Sequence, residues 1–347
     1  MKLNSLQHKA KNFISVLLMS ILALFTNSCD SLHEDLQPCP QGLRLRFIYE
    51  YNMLFANAFM SQVHCLTLLV YGENGNYIDT VTVTDRELLA DENWRMILDL
   101  PAGDYTLIAY GGMACPDASF VFDPTPGTGV EMSQVEVTMK PEFITSPENN
   151  PLHDLFYGML KVTVPENGTD YTDATVEMMK DTNNLRIILQ HLDNTPVKVD
   201  DFNFEVIADN TKFNYENDVI PTEMTVFRPW ITGQEPIGAE IVGDHVQDVV
   251  SEIAYAEISL SRLMLNGGSR LEITLASDGD SVVSIPLAIY LQYLKSQRYA
   301  SMGPQEFLDR ESEWTLFFFL DKKNRWVKTQ IIINGWVVRI NDIEGWF

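Results

Sequence analysis

From residue 43 onward the sequence is a succession of short apolar runs, each closed by Gly, Pro, Asn or Asp, and that pattern restricts the chain to an all-β fold. Residues 43–51 (LRLRFIYEY) set Leu, Leu, Phe and Tyr against Arg, Arg, Ile and Glu, a period of two that lines one face of a strand. Residues 65–71 (CLTLLVY) are almost continuously apolar, Gly-Glu-Asn-Gly at 72–75 turns the chain, and 77–83 returns as the second arm of a hairpin. Residues 94–100 lead into Pro-Ala-Gly-Asp at 101–104, whose Pro and Gly set the turn dihedrals, and 105–110 (YTLIAY) follow as a strand. Residues 130–139 close this first set.

A Pro- and Asn-containing stretch at 141–151 is the expected boundary, and a second set of strands follows it. These are 155–164, 185–192, 202–207, 226–230, 254–260, 270–276, 281–289, 314–320, 326–333 and 336–340. Strands spaced by about ten residues with turns between them indicate sandwiches rather than a parallel sheet. One excursion, 287–299 (LAIYLQYLKSQRY), suits a short helix, and 307–310 belong with it. The sequence therefore predicts two β-sandwiches in tandem, residues 39–146 and 147–347.

Residues 1–28 carry a different signal. Lys2, Lys9 and Lys11 precede an apolar run at 13–25 that is too short to cross a hydrocarbon core of ~30 Å comfortably. Thr26, Asn27 and Ser28 then lead to Cys29, the order of charge, apolar core and small residues found in a secretory signal. A cysteine directly after the small residue predicts a lipoprotein, with Cys29 lipidated and residues 29–38 as a polar tether. Two or more acyl chains hold stably at ~0.8 kcal/mol per buried methylene, so the body is expected to stay on an outer membrane. No other run of 18 apolar residues occurs, and no transmembrane helix is expected.

Removing the three signal lysines from the 24 Lys+Arg leaves 21 against 48 Asp+Glu, a net charge of −27. A nucleic-acid partner is not expected, because such binding neutralises phosphates with Lys and Arg. No metal-ligand spacing, C-x-x-C, nucleophile elbow, P-loop or dinucleotide fingerprint occurs, so the sequence predicts no cofactor, no metal site and no enzyme. The adjacent Asp200 and Asp201 read as solvated turn residues, and 277–280 (SDGD) as a hairpin tip rather than a calcium loop. Cys39, Cys65 and Cys115 remain after lipidation, enough for one disulfide. Cys39 with Cys115 is the expected pair because both adjoin prolines at strand ends, with Cys65 as a small core residue.

Residues 39–53 (CPQGLRLRFIYEYNM), 56–59, 63–71, 100–112 (LPAGDYTLIAYGG) and 331–339 (IIINGWVVR) together resemble the FimB-like fimbrial anchor family of Bacteroidetes. The matches span the chain; His64 stands where an acidic residue is expected. The resemblance implies two transthyretin-like, Greek-key sandwiches and a membrane-bound base that anchors a fimbria and limits its length. It implies a stalk pilin as partner and brings no catalytic residues. In such fimbriae one subunit fills the groove of the next by β-augmentation, where main-chain hydrogen bonds supply affinity and alternate side chains specificity.

On that reading the chain keeps its own first strand, 43–51, and so terminates growth. Thirteen residues separate it from Cys29, a reach of about 45 Å at about 3.5 Å per residue. The C-terminal segment, with Thr329, Ile331, Ile333, Trp336, Val338, Ile340, Trp346 and Phe347, is either a strand donated to the pilin or the last strand of the second sandwich. Asp-Ser/Thr-apolar triplets at 30–32, 79–81 and 280–282 resemble the O-glycosylation signal of Bacteroidetes. The alternative function is a surface lipoprotein binding a glycan or host ligand, with some of Trp94, Trp230, Trp314, Trp326, Trp336 and Trp346 as a stacking platform.

Overall fold

The computed structural model describes residues 41–347 except 146, 167, 169, 238–239, 243–244, 248–250, 294, 334–335 and 340–347. In chain order the first strands are β1 (Gly42–Ile48), β2 (Leu66–Gly72), β3 (Tyr77–Val83), β4 (Met96–Asp99) and β5 (Gly103–Gly111). Then come β6 (Phe120–Phe122), β7 (Glu136–Met139), β8 (Phe156–Val164), β9 (Thr172–Glu177) and β10 (Met179–Lys180). The later strands are β11 (Thr182–His191), β12 (Phe202–Ala208), β13 (Lys212–Asn214), β14 (Thr225–Phe227), β15 (Ile231–Ile237) and β16 (Glu240–Val242). They continue with β17 (His245–Gln247), β18 (Ser251–Ser261), β19 (Arg270–Leu275), β20 (Ser281–Pro286), β21 (Glu313–Leu320), β22 (Trp326–Ile333) and β23 (Trp336–Arg339).

A five-stranded sheet, β10-β8-β5-β2-β3, forms the middle of the N-terminal half. The run in β2 lacks polar alternation because both faces of this strand are covered. Leu66, Leu68 and Val70 pack with Leu107, Ala109 and the β1 residues Leu43, Leu45 and Phe47. Leu69 and Tyr71 point the other way, with Ile108, Tyr110, Phe120 and Val137, into a core that continues through the C-terminal half. Three-stranded sheets lie on either side, β4-β1-β9 and β13-β7-β6.

The second half is a sandwich of a six-stranded sheet, β15-β18-β11-β21-β22-β23, and a four-stranded sheet, β14-β12-β19-β20. Its core joins Leu185, Ile187, Ala256, Ile258, Leu316 and Phe318 to Phe204, Val206, Leu271, Ile273 and Ile285, all buried. The excursion is helical over Leu287–Tyr293, and a second helix covers Pro304–Arg310. The fold is all-β sandwich, as the sequence pattern predicts.

Sheet membership does not follow the expected division at 146/147. β8 and β10 belong to the five-stranded sheet and β9 to the sheet of β1, so the chain passes to the six-stranded sheet only after Lys180. The stretch 141–151 looks like a linker in sequence, but the strands beyond it return to complete the first sandwich. Each half also closes in the same way. Its first strand pairs in parallel with a much later one, β1 with β9 and β11 with β21.

Candidate functional site: a filled groove and a C-terminal sheet edge

β1 lies between β4, antiparallel, and β9, parallel. Its inward residues Leu43 and Leu45 are fully buried and Phe47 nearly so, as is Tyr49 just beyond the strand, and each buried Leu or Phe side chain contributes about 1.5–3 kcal/mol. Its outward Arg44 donates from Nε to Asp173 Oδ1 at 2.6 Å and from Nη2 to Oδ2 at 2.8 Å. That bidentate bond holds the Asp173 carboxyl below the usual carboxylate range. The pair is solvent-exposed, so it fixes register more than it adds stability. At the strand's start Gly42 has φ +144°, and a Cβ there would lie 1.8 Å from the Leu98 carbonyl oxygen. Only glycine permits that approach.

Asp181, the one residue between β10 and β11, forms a polar node where the two halves meet. It is fully buried and accepts a hydrogen bond from Asn217 Nδ2. Asn217 O in turn accepts from Arg262 Nη1, and Arg262 binds Asp309 through two 2.8 Å hydrogen bonds. Beside it Lys180, also buried, reaches Asp154 at 2.9 Å and Glu313 at 3.5 Å. Buried charges persist where they are paired in this way.

As far as Arg339, the described part of the C-terminal segment is paired within the chain's own sheet. Thr329, Ile331 and Ile333 lie in β22, opposite Phe318, Leu316 and Trp314 of β21, and Trp336 and Val338 lie in β23. Among the described residues β23 is the edge of the six-stranded sheet. Ile340, Trp346 and Phe347 lie outside the described residues, as do Cys29, Cys39 and the triplet at 30–32.

The disulfide joins Cys65 to Cys115, correcting the expected Cys39–Cys115 pair. Cys65 directly precedes β2 and faces the end of β5, where Gly112 N donates to its carbonyl oxygen at 3.1 Å. The turn after Gly112 then brings Cys115 to a Cα–Cα distance of 5.5 Å. Cys65 is buried, as its apolar run predicts, and it is the bridging partner as well.

Trp314 is buried, with its indole N–H donated to Asn183 Oδ1, so it offers no face to a sugar. Among the described residues no group of three or more His, Cys, Asp or Glu is placed to hold a metal ion, and no helix is long and apolar enough to cross a membrane.

The sequence profile of the fimbrillin-A associated anchor proteins Mfa1 and Mfa2 matches residues 36–342. No protein of curated function matches the sequence. A candidate adhesin from Bacteroides thetaiotaomicron is 46% identical, the match covering 88% of this chain and 100% of that one, with a TM-score of 0.79. A second protein of that organism, described as a candidate polysaccharide-binding protein, is 28% identical over 86% of this chain and 98% of its own, with a TM-score of 0.70. The fimbrial anchor protein Mfa2 of Porphyromonas gingivalis shares the fold at 16% identity, over 87% of this chain and 99% of that one, with a TM-score of 0.61. With a family profile matched from before β1 to beyond β23, this chain belongs to the fimbrillin-A associated anchor proteins, a family of fimbrial proteins and not of enzymes.

Proposed function

We propose that this protein is lipidated at Cys29, sits on the outer membrane facing the cell surface, and holds the base of a fimbria while limiting its length. The observation that carries the reading is β1. It remains in its groove with Leu43, Leu45 and Phe47 buried between β4 and β9. A subunit whose own strand fills its groove has no vacancy for a strand from another, so growth stops there. The stalk pilin would instead engage the other end of the chain. The edge strand β23 and the residues beyond it, with Ile340, Trp346 and Phe347, are the segment available for strand complementation.

The test compares cell-attached and shed fimbriae in wild type, a gene deletion and a Cys29→Ala strain. Long fimbriae released on deletion, with similar shedding from Cys29→Ala, support a lipid-tethered anchor. Unchanged fimbriae in all three strains overturn it. Binding of a glycan or host ligand is the second reading, favoured by the description of the 28% identical relative. Retention on a polysaccharide without co-purification of a pilin would select it.

A further inference from the structure

Leu54 and Phe55 are the two most exposed large apolar residues among the described ones, at 77% and 55%, and they are consecutive. They stand on the loop that follows β1. Phe55 has φ +52°, a left-handed conformation that bulky residues enter only at a cost. The surrounding groups hold it there. Buried Asn52 donates to the carbonyls of Tyr49 and Ala56, both at 2.8 Å, and accepts from Leu54 N. Asn57 Oδ1 accepts from the backbone of Tyr49 and Phe59. The Arg310 guanidinium, paired with Glu306, lies 4.1 Å from the ring centre of Tyr51 and 4.7 Å from that of Phe55. The loop is thus held so that two consecutive apolar side chains face solvent.

Beside Phe55 opens a cleft of about 240 Å³ lined by Ile48, Glu50, Tyr51, Phe55, Glu177 and Arg310. Glu50 and Glu177 are exposed and meet no cation among the described residues, whereas Arg310 is already neutralised by Glu306. The cleft therefore has apolar walls and an unbalanced negative rim. Glu177 also ends β9, whose outer edge carries no strand partner among the described residues.

We infer that this loop and cleft are a docking surface for an extended protein segment carrying an apolar side chain next to a lysine or arginine. The apolar side chain covers Leu54 and Phe55. The cation enters between Glu50 and Glu177 with its aliphatic stem along Ile48 and Tyr51, and the backbone runs beside β9. This surface lies at the end of β1, apart from β23, and does not depend on the anchoring role.

The probe is a fluorescein-labelled peptide, acetyl-KLVKLVKG, titrated against the full-length chain by fluorescence anisotropy. The controls are acetyl-KSGKSGKG and acetyl-ELVELVEG. The expected result is saturable binding of the first peptide alone, at least tenfold weaker with Leu54→Ser/Phe55→Ser and at least threefold weaker with Glu50→Gln/Glu177→Gln. Glu87→Gln/Glu223→Gln, at exposed sites elsewhere, leaves it unchanged. Phe55→Gly relieves the left-handed residue and keeps the fold intact, so its weaker binding separates docking from stability. Failure of the KLVKLVK peptide to bind overturns the proposal. So does equal binding of the KSGKSGK peptide, which would mean charge attraction alone, or undiminished binding by Phe55→Gly.

Discussion

Asp181 accepts a 2.9 Å hydrogen bond from Asn217 on one carboxylate oxygen, while the other has no hydrogen-bond partner within the protein. Burial, only partly offset by Arg262, pushes its pKa up to about 7. A carboxyl with a folded pKa above its unfolded value is neutral in both states at acid pH. As pH rises from about 4 the unfolded chain ionises first, so stability falls until the folded pKa is passed. The whole span is on the order of 4 kcal/mol at ~1.4 kcal/mol per unit. Asp181→Asn keeps an acceptor for Asn217 and removes the titration. In denaturant unfolding the variant should gain on wild type between pH 4 and 7 and hold its advantage above. A pH-independent difference would rule out this account.

The contact between Gly42 and Leu98 predicts a local failure. A Cβ at residue 42 meets the Leu98 carbonyl oxygen, and φ +144° is unfavourable for any other residue. Gly42→Ala should therefore raise hydrogen exchange at the β1 and β4 amides while leaving β11 and β21 protected. Leu45→Ala should instead cost about 2–5 kcal/mol of overall stability through the cavity it leaves.

Removal of the Cys65–Cys115 bridge should destabilise by up to about 4 kcal/mol, the chain-entropy value for a loop of this length; the two cysteines are 50 residues apart. Cys115→Ser tests this by thermal unfolding. Peptide mapping without reductant should recover the same bridge from a Cys39→Ser variant; its loss there would reinstate Cys39 as a partner.

Asn183 and Trp314 make another dependent pair. Asn183→Ala strands the buried indole N–H, at a cost of about 1–3 kcal/mol. Trp314→Phe in the Asn183→Ala background should recover part of that loss, because it removes the unpaired donor. No recovery in a double-mutant cycle would show that the hydrogen bond is not the source.

Periodicity is a local property, so it was legible. The alternation of 43–51 and the turn signals at 72–75 and 101–104 placed β1, the β2–β3 hairpin and the β4–β5 turn. The charge order before Cys29 needs no fold to be read either. The exposure of Leu54 and Phe55 is not legible in the same way, because an apolar pair in a loop has the same sequence whether it is covered or bare.

What the sequence by itself determined was the all-β class, most of the longer apolar strands and the family, since these rest on neighbours along the chain and on motif identity; the polar β9 and β15 carry no such pattern. Tertiary structure alone decided which strands meet. Asp173 finds Arg44 across 129 positions, β8 and β9 return past an apparent linker to complete the first sandwich, and Cys65 rather than Cys39 faces Cys115. A strand's pattern shows which faces want cover, but β-pairing satisfies identical main-chain groups in every strand. The choice of partner is settled by how the two cores close together, and no local stretch of sequence records that.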